Sequence, residues 1–232
     1  MDFIINKKGR KLFKYFFTVC LISFIGLISL QAQPLAFLDE ITAFKKSDSV
    51  NHPPKNVILF VGSSSFRMWK NIQQDFPGYT IINRGFGGST LPDVMYYAND
   101  IIFPYMPRQI VIYVGENDLA SSDTVTAQSV VNRFKSLFYL IRNRMNEVPI
   151  VFVSIKPSPS REKLLPKIKE ANRGIKLFLK KKMKVSYVDV FHKMLTPKGL
   201  IRGELFIEDQ LHMNNKGYEI WKNTIRPYLL KD

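Results

Sequence analysis

Five short runs of apolar, largely β-branched residues recur along the chain: Val57 to Val61, Tyr79 to Asn83, Gln109 to Gly115, Ile150 to Ile155 and Val185 to Val190. Each is too short and too continuously apolar for an amphipathic helix, and this composition suits a parallel strand covered on both faces. Longer stretches of mixed polarity separate them. Phe66 to Asp75, Leu91 to Phe103, Thr124 to Asn146 and Arg161 to Lys182 have helical length, and Asn215 to Leu229 closes the chain. Strand and helix alternating in this way predict an α/β fold, a three-layer α/β/α sandwich around a five-stranded parallel sheet of the flavodoxin-like kind. The chain has no internal repeat and no low-complexity tract.

The first stretch departs from this pattern. Lys7, Lys8, Arg10, Lys11 and Lys14 precede the apolar run Phe16 to Leu30, and Leu30-Gln31-Ala32 ends in a small residue where a signal peptidase could cut. The run is shorter than the roughly 18 residues of a spanning helix, so residues 1–32 read as a signal peptide, with an uncleaved anchor as the alternative. Export to the periplasm or beyond follows, without stable membrane insertion after cleavage. Residues 33–55 hold a short amphipathic segment and then His52-Pro53-Pro54, a linker into a single domain over 56–232. Cys20, the single cysteine, lies inside the apolar run, which leaves the domain without disulfides.

Charge adds one constraint. The formal net charge is +15, and removing the five basic and one acidic side chains of residues 1–32 leaves +11. Lys180, Lys181, Lys182 and Lys184 cluster at the end of a predicted helix, where cations meet the helix dipole favourably. Without aromatic interleaving or a recognition motif, the cluster reads as a solvated helix end and nucleic acid is not an expected partner.

The candidate chemistry sits at the strand ends. Gly62-Ser63-Ser64-Ser65 leaves the first strand, and ligands of parallel sheets bind beyond the carboxyl ends of the strands. A serine hydroxyl there can act as a nucleophile once a base takes its proton, and histidine has the appropriate basicity. His52 lies in the linker. His192 and His212 each follow an aspartate by three residues, Asp189 and Asp209, so spacing alone does not separate them. Position favours Asp209 and His212, in a loop before the final helix with Asn214-Asn215-Lys216-Gly217 as turn and cap; His192 is expected to pack below a helix. Donors for an oxyanion are available in Gly88, within Gly85-Phe86-Gly87-Gly88, in the side-chain amide of Asn117 and in the backbone amide of Ser64.

Four ordered blocks, Gly62-Ser63-Ser64-Ser65, Asn83 through Gly88, Gly115-Glu116-Asn117-Asp118, and Asp209-x-x-His212 with Asn214 and Gly217-Tyr218 following, resemble those of the SGNH (GDSL-type) hydrolases. The resemblance covers nearly all of 56–232 and implies the SGNH hydrolase fold. It also implies Ser64 as nucleophile, Gly88 and Asn117 as oxyanion donors beside the Ser64 amide, His212 as base and Asp209 as its orienting acid. Ser63 stands where the family usually has aspartate. The Gly-x-Ser-x-Gly elbow is absent, since Phe66 occupies its last position.

The expected reaction is ester hydrolysis through an acyl-serine, without cofactor or metal, since no clustered ligand set is present. A compact chain with no long insertion favours a short acyl group, such as acetyl, on a carbohydrate or lipid-like alcohol in an open groove. Arg84, Lys156 and Arg161, read as lying in loops around Ser64, are candidate substrate contacts. The alternative is a non-catalytic module that grips a glycan or anionic polymer through Trp69, Arg84, Lys156 and Arg161.

Overall fold

Each of the five apolar runs is a strand: β1 (Ile58–Gly62), β2 (Ile81–Gly85), β3 (Gln109–Tyr113), β4 (Ile150–Val153) and β5 (Val185–Val188). They come from a computed structural model that describes residues 36–231. All pairings are parallel, in the order β2-β1-β3-β4-β5. The central strands β1, β3 and β4 are buried along their whole lengths, while the edge strand β5 is half-buried.

Successive side chains of a strand face opposite ways, so each run feeds two cores. On one face Ile58, Phe60, Val111, Tyr113, Val151 and Val153 meet Phe66 and Trp69 from the segment of two one-turn helices, α2 (Ser64–Arg67) and α3 (Ile72–Asp75). Tyr218 and Trp221 of the last helix complete this core. On the other face lie the long helices that follow β3 and β4. Phe134 there stacks edge-on against Phe152 with centroids 4.6 Å apart, and Phe178 closes over Phe134 at 6.2 Å.

Several predicted helices are shorter or broken. The segment 66–75 forms α2 and α3, and 91–103 forms α4 (Leu91–Tyr96) and α5 (Ala98–Ile101). After β3 come α6 (Glu116–Ala120) and α7 (Ala127–Arg144). The stretch from Arg161 begins as a 3-10 turn, with Arg161 outside helical angles, before α8 (Leu165–Leu179). Pro166 explains the late start, because a proline fits without loss only in the first turn of an α-helix. The chain ends in α9 (Asn215–Ile225) and a 3-10 turn.

The short amphipathic segment expected within 33–55 is a helix, α1 (Leu38–Val50), which from Asp39 onward belongs to the same compact unit as the sheet, and His52-Pro53-Pro54 follow it without regular structure. No helix of the described residues is long and apolar enough to cross a membrane. The expected signal peptide over 1–32 lies outside the described residues.

Candidate active site

Strand register brings the candidate loops together. Gly62, Gly85 and Tyr113 lie side by side, one row across β2, β1 and β3. Ser64 follows two residues beyond that row, Gly88 three and Asn117 four, so all three emerge at the same sheet edge. Gly62 has φ +140°, and a Cβ there would sit 1.8 Å from the Tyr113 carbonyl oxygen, so glycine alone lets the chain turn away from β3. The loops are then laced to one another. The Gly62 carbonyl accepts the Phe86 N–H at 3.0 Å and the Ser89 hydroxyl at 3.1 Å. Asn117 donates from Nδ2 to the Ser89 carbonyl at 3.0 Å. Gly88, exposed at φ +70°, stands next to that tie.

The fourth loop is built around Asp209. Its Oδ1 accepts the backbone N–H of Leu211 at 2.9 Å and of His212 at 2.8 Å, which closes a tight turn. The Ile207 N–H to His212 carbonyl bond, 2.9 Å, staples the turn shut. Asn214 caps α9 by accepting the N–H groups of Lys216 and Gly217, and Tyr218 on that helix donates its hydroxyl to the Ser65 carbonyl at 2.9 Å. The helix after the histidine is therefore tied to the one that carries the serine.

The result is a continuous relay. His212 Nδ1 lies 2.5 Å from Asp209 Oδ2, and Nε2 lies 2.9 Å from Ser64 Oγ. An ionised carboxylate can only accept, so Nδ1 carries the proton and Nε2 accepts the Ser64 hydroxyl. Partial burial alone would raise the Asp209 carboxyl, but the two backbone amides and the His212 ring outweigh it and bring it down to about 2. The His212 side chain is 19% exposed, open enough to meet a substrate.

The second Asp-x-x-His pair lies elsewhere. His192 donates from Nδ1 to Asp189 at 2.7 Å, yet its side chain is 74% exposed, so the expectation that it packs below a helix is corrected.

The structure also corrects two expected substrate contacts. Arg84 lies within β2, not in a loop, and points to the face opposite Asn83, whose amide bonds the Phe66 carbonyl. Its guanidinium pairs with Asp48 of α1 and donates to the Tyr105 hydroxyl at 2.6 Å. Lys156 is fully buried and bonds both oxygens of Glu116, at 2.8 and 3.0 Å. Arg161 does reach the site edge, where it donates from Nη2 to Asn117 Oδ1 at 2.9 Å. Trp69, named above as a glycan grip, is 2% exposed and belongs to the core. The non-catalytic alternative thus loses three of its four ligand residues.

Two acids escaped the sequence reading. Glu116 sits between Lys156, Ser158, Tyr113 and Arg161, and is held ionised by them: burial raises its pKa, but the two cations and the hydrogen bonds lower it further. Glu40 of α1 pairs with Arg67 at 2.7 Å and accepts the Gly87 N–H at 3.1 Å, the residue before Gly88. Glu116 had a signal, as an acid inside an otherwise apolar strand exit; Glu40 had none. Among the described residues no three acidic, histidine or cysteine side chains gather as metal ligands would.

A parallel α/β sheet with a serine–histidine–aspartate relay at its carboxyl edge has the architecture of a serine hydrolase. Residues 41–220 match the model of the GDSL-like lipase/acylhydrolase family. The chain belongs to this family and is an ester hydrolase. Among solved structures it resembles a Streptococcus pneumoniae protein whose name refers to platelet activating factor, with 20% identity, TM-score 0.72, and coverage of 91% of this chain and 99% of that one. A GDSL-like lipase of Bacteroides thetaiotaomicron superposes with TM-score 0.70 at 19% identity, over 81% of this chain and 96% of its own. A Bacteroides fragilis protein named as an acylhydrolase gives TM-score 0.68 at 19% identity, over 86% and 97%. No curated protein sequence matches the chain.

Proposed function

We propose that the protein hydrolyses short-chain carboxylic esters through an acyl-Ser64 intermediate. The observation that carries this reading is the 2.9 Å contact between Ser64 Oγ and His212 Nε2, with Asp209 on the opposite ring nitrogen. In the first half-reaction Ser64 Oγ attacks the ester carbonyl carbon while His212 Nε2 takes its proton. The negative oxygen that develops is met by the backbone N–H groups of Ser64 and Gly88 and by the second hydrogen of Asn117 Nδ2, the first being held by Ser89. His212 returns the proton to the leaving alcohol. In the second half a water gives its proton to His212, attacks the acyl carbon and releases the acid, and the proton returns to Ser64. Asp209 remains a carboxylate throughout and stabilises the imidazolium formed in each half.

Short acyl groups and an exposed alcohol portion fit the surroundings of the relay. An open groove of about 690 Å³, lined by Met68, Ile207, Met213, Lys216 and Tyr218 among others, runs beside the His212 loop, and Met213 directly follows His212. Trp69 lines it as well, but none of Ser64, Gly88, Asn117 and His212 does, so this groove would take the far part of a carbohydrate or lipid-like alcohol and not the scissile ester. The basic and then apolar N-terminal pattern supports an exported enzyme. A series of p-nitrophenyl esters of increasing acyl length tests the reading: kcat/KM highest for acetate and falling with length is expected, with all activity lost in Ser64→Ala. A maximum at long chains overturns the short-acyl assignment, and activity that survives Ser64→Ala overturns the mechanism.

A further inference from the structure

Directly behind Asn117 lies a buried charge cluster that the reaction above does not use. Lys156 is fully buried and Glu116 is 4% exposed. The Glu116 carboxylate is contacted by Lys156 Nζ, by the Ser158 hydroxyl at 2.8 Å and by the Tyr113 hydroxyl at 2.6 Å, with Arg161 Nη1 at 3.6 Å. The Glu116 carboxylate therefore faces two cations, and Lys156 lies within electrostatic reach of the Asp209 carboxylate as well. Stability does not explain the cluster, since apolar residues of equal volume commonly serve as well as a buried ion pair. Arg161 Nη1 faces Glu116 Oε1 at 3.6 Å, beyond hydrogen-bond distance, so the guanidinium is held mainly by its Nη2 bond to Asn117.

What the cluster does accomplish is to aim an amide. A carboxamide can turn over, exchanging its donor for its acceptor at nearly unchanged shape. For Asn117 the exchange would set Oδ1 against the Ser89 carbonyl and the NH₂ group against the Arg161 guanidinium, two repulsive contacts in place of two hydrogen bonds of 3.0 and 2.9 Å. We infer that Arg161 is a positioning residue of the oxyanion site: anchored by the Glu116–Lys156 pair, it fixes the Asn117 amide with its N–H toward the developing oxyanion and sets its own guanidinium charge behind that amide. Charge placed in advance where negative charge will form is the kind of stabilisation that favours the transition state over the bound ester. The inference rests on the reading of Asn117 as an oxyanion donor.

A double-mutant cycle tests it. With p-nitrophenyl acetate, Arg161→Met is expected to lower kcat about tenfold with KM within about twofold, less than the loss of a whole oxyanion donor. Arg161→Lys, which keeps the charge but not the planar fork, is expected to recover part of that loss. In an Asn117→Ala background the Arg161→Met change should cost less than about twofold, because the group through which it acts is gone. Thermal unfolding of Arg161→Met within a few degrees of wild type separates the effect from misfolding. An unchanged kcat, a rise in KM alone, or the same tenfold loss with and without Asn117 overturns the inference while leaving the esterase reading intact. A wild type that fails to hydrolyse the ester overturns both.

Discussion

Two Asp-x-x-His turns stand in this molecule with almost the same local geometry. In both, the aspartate accepts the histidine backbone N–H through Oδ1, at 3.1 Å for Asp189 and 2.8 Å for Asp209. In both, Oδ2 accepts the ring Nδ1–H, at 2.7 and 2.5 Å. The pairs part company at the other ring nitrogen. His212 Nε2 meets Ser64 Oγ, whereas the His192 side chain is 74% exposed at the end of the edge strand β5. The turn holds the Nδ1 proton of a histidine and leaves Nε2 free to accept; the rest of the fold decides what meets Nε2. That decision is made by contacts remote in sequence, above all the Tyr218 hydroxyl on the Ser65 carbonyl, which ties the histidine loop to the turn of Ser64, 148 residues from His212.

Neutralising the aspartates should separate the two turns most widely. Asp209→Asn should lower kcat by at least about 10²-fold, since the ring loses the acceptor that fixes its tautomer and stabilises its charge. Asp189→Asn should leave kcat within about twofold, and equal losses would mean that the exposed dyad takes part. A smaller effect is expected from α1. Glu40→Ala removes the acceptor of the Gly87 N–H and the partner of Arg67, and steady-state kinetics should show kcat down about fivefold through a looser Gly88 amide. Tyr218→Phe leaves the Ser65 carbonyl without its hydroxyl, and urea unfolding should report a loss of about 1 kcal/mol together with a severalfold drop in kcat.

The smallest effect is the pH dependence of folding. The Asp209 carboxyl is depressed from its ordinary 3.8 to about 2 in the folded protein. A group lowered in this way contributes stability above its unfolded value, and the contribution is lost as pH falls through its folded value. Urea midpoints measured between about pH 4 and about 2 should therefore fall more steeply for wild type than for Asp209→Asn, and parallel curves would count against the depressed carboxyl.

Much of this was legible from the chain because it depends on local pattern. The five apolar runs are the five strands, with ends shifted by a few residues, and the glycines that end β1 and β2 mark where the loops of the site begin. What escaped depends on pairings that no local pattern carries. Arg84 reads as a loop residue near Ser64, but the alternation of β2 turns it to the face opposite Asn83, where Asp48 takes its charge. Lys156 reads as a candidate substrate contact until Glu116, forty residues earlier, is found beside it. The segment before the first strand reads as a short amphipathic stretch ahead of a linker, and its contribution lies in two acids whose partners, Gly87 and Arg67 for Glu40 and Arg84 for Asp48, come later in the chain.

Placement beside Ser64, and not the Asp-x-x-His turn itself, distinguishes the proposed base His212 from His192. This distinction is tested most directly by p-nitrophenyl acetate hydrolysis measured side by side for His212→Ala and His192→Ala. A loss of about 10³-fold or more in kcat is expected for His212→Ala, as for the base of other serine hydrolases, and wild-type turnover for His192→Ala. Comparable losses in the two variants, or an active His212→Ala enzyme, would contradict it.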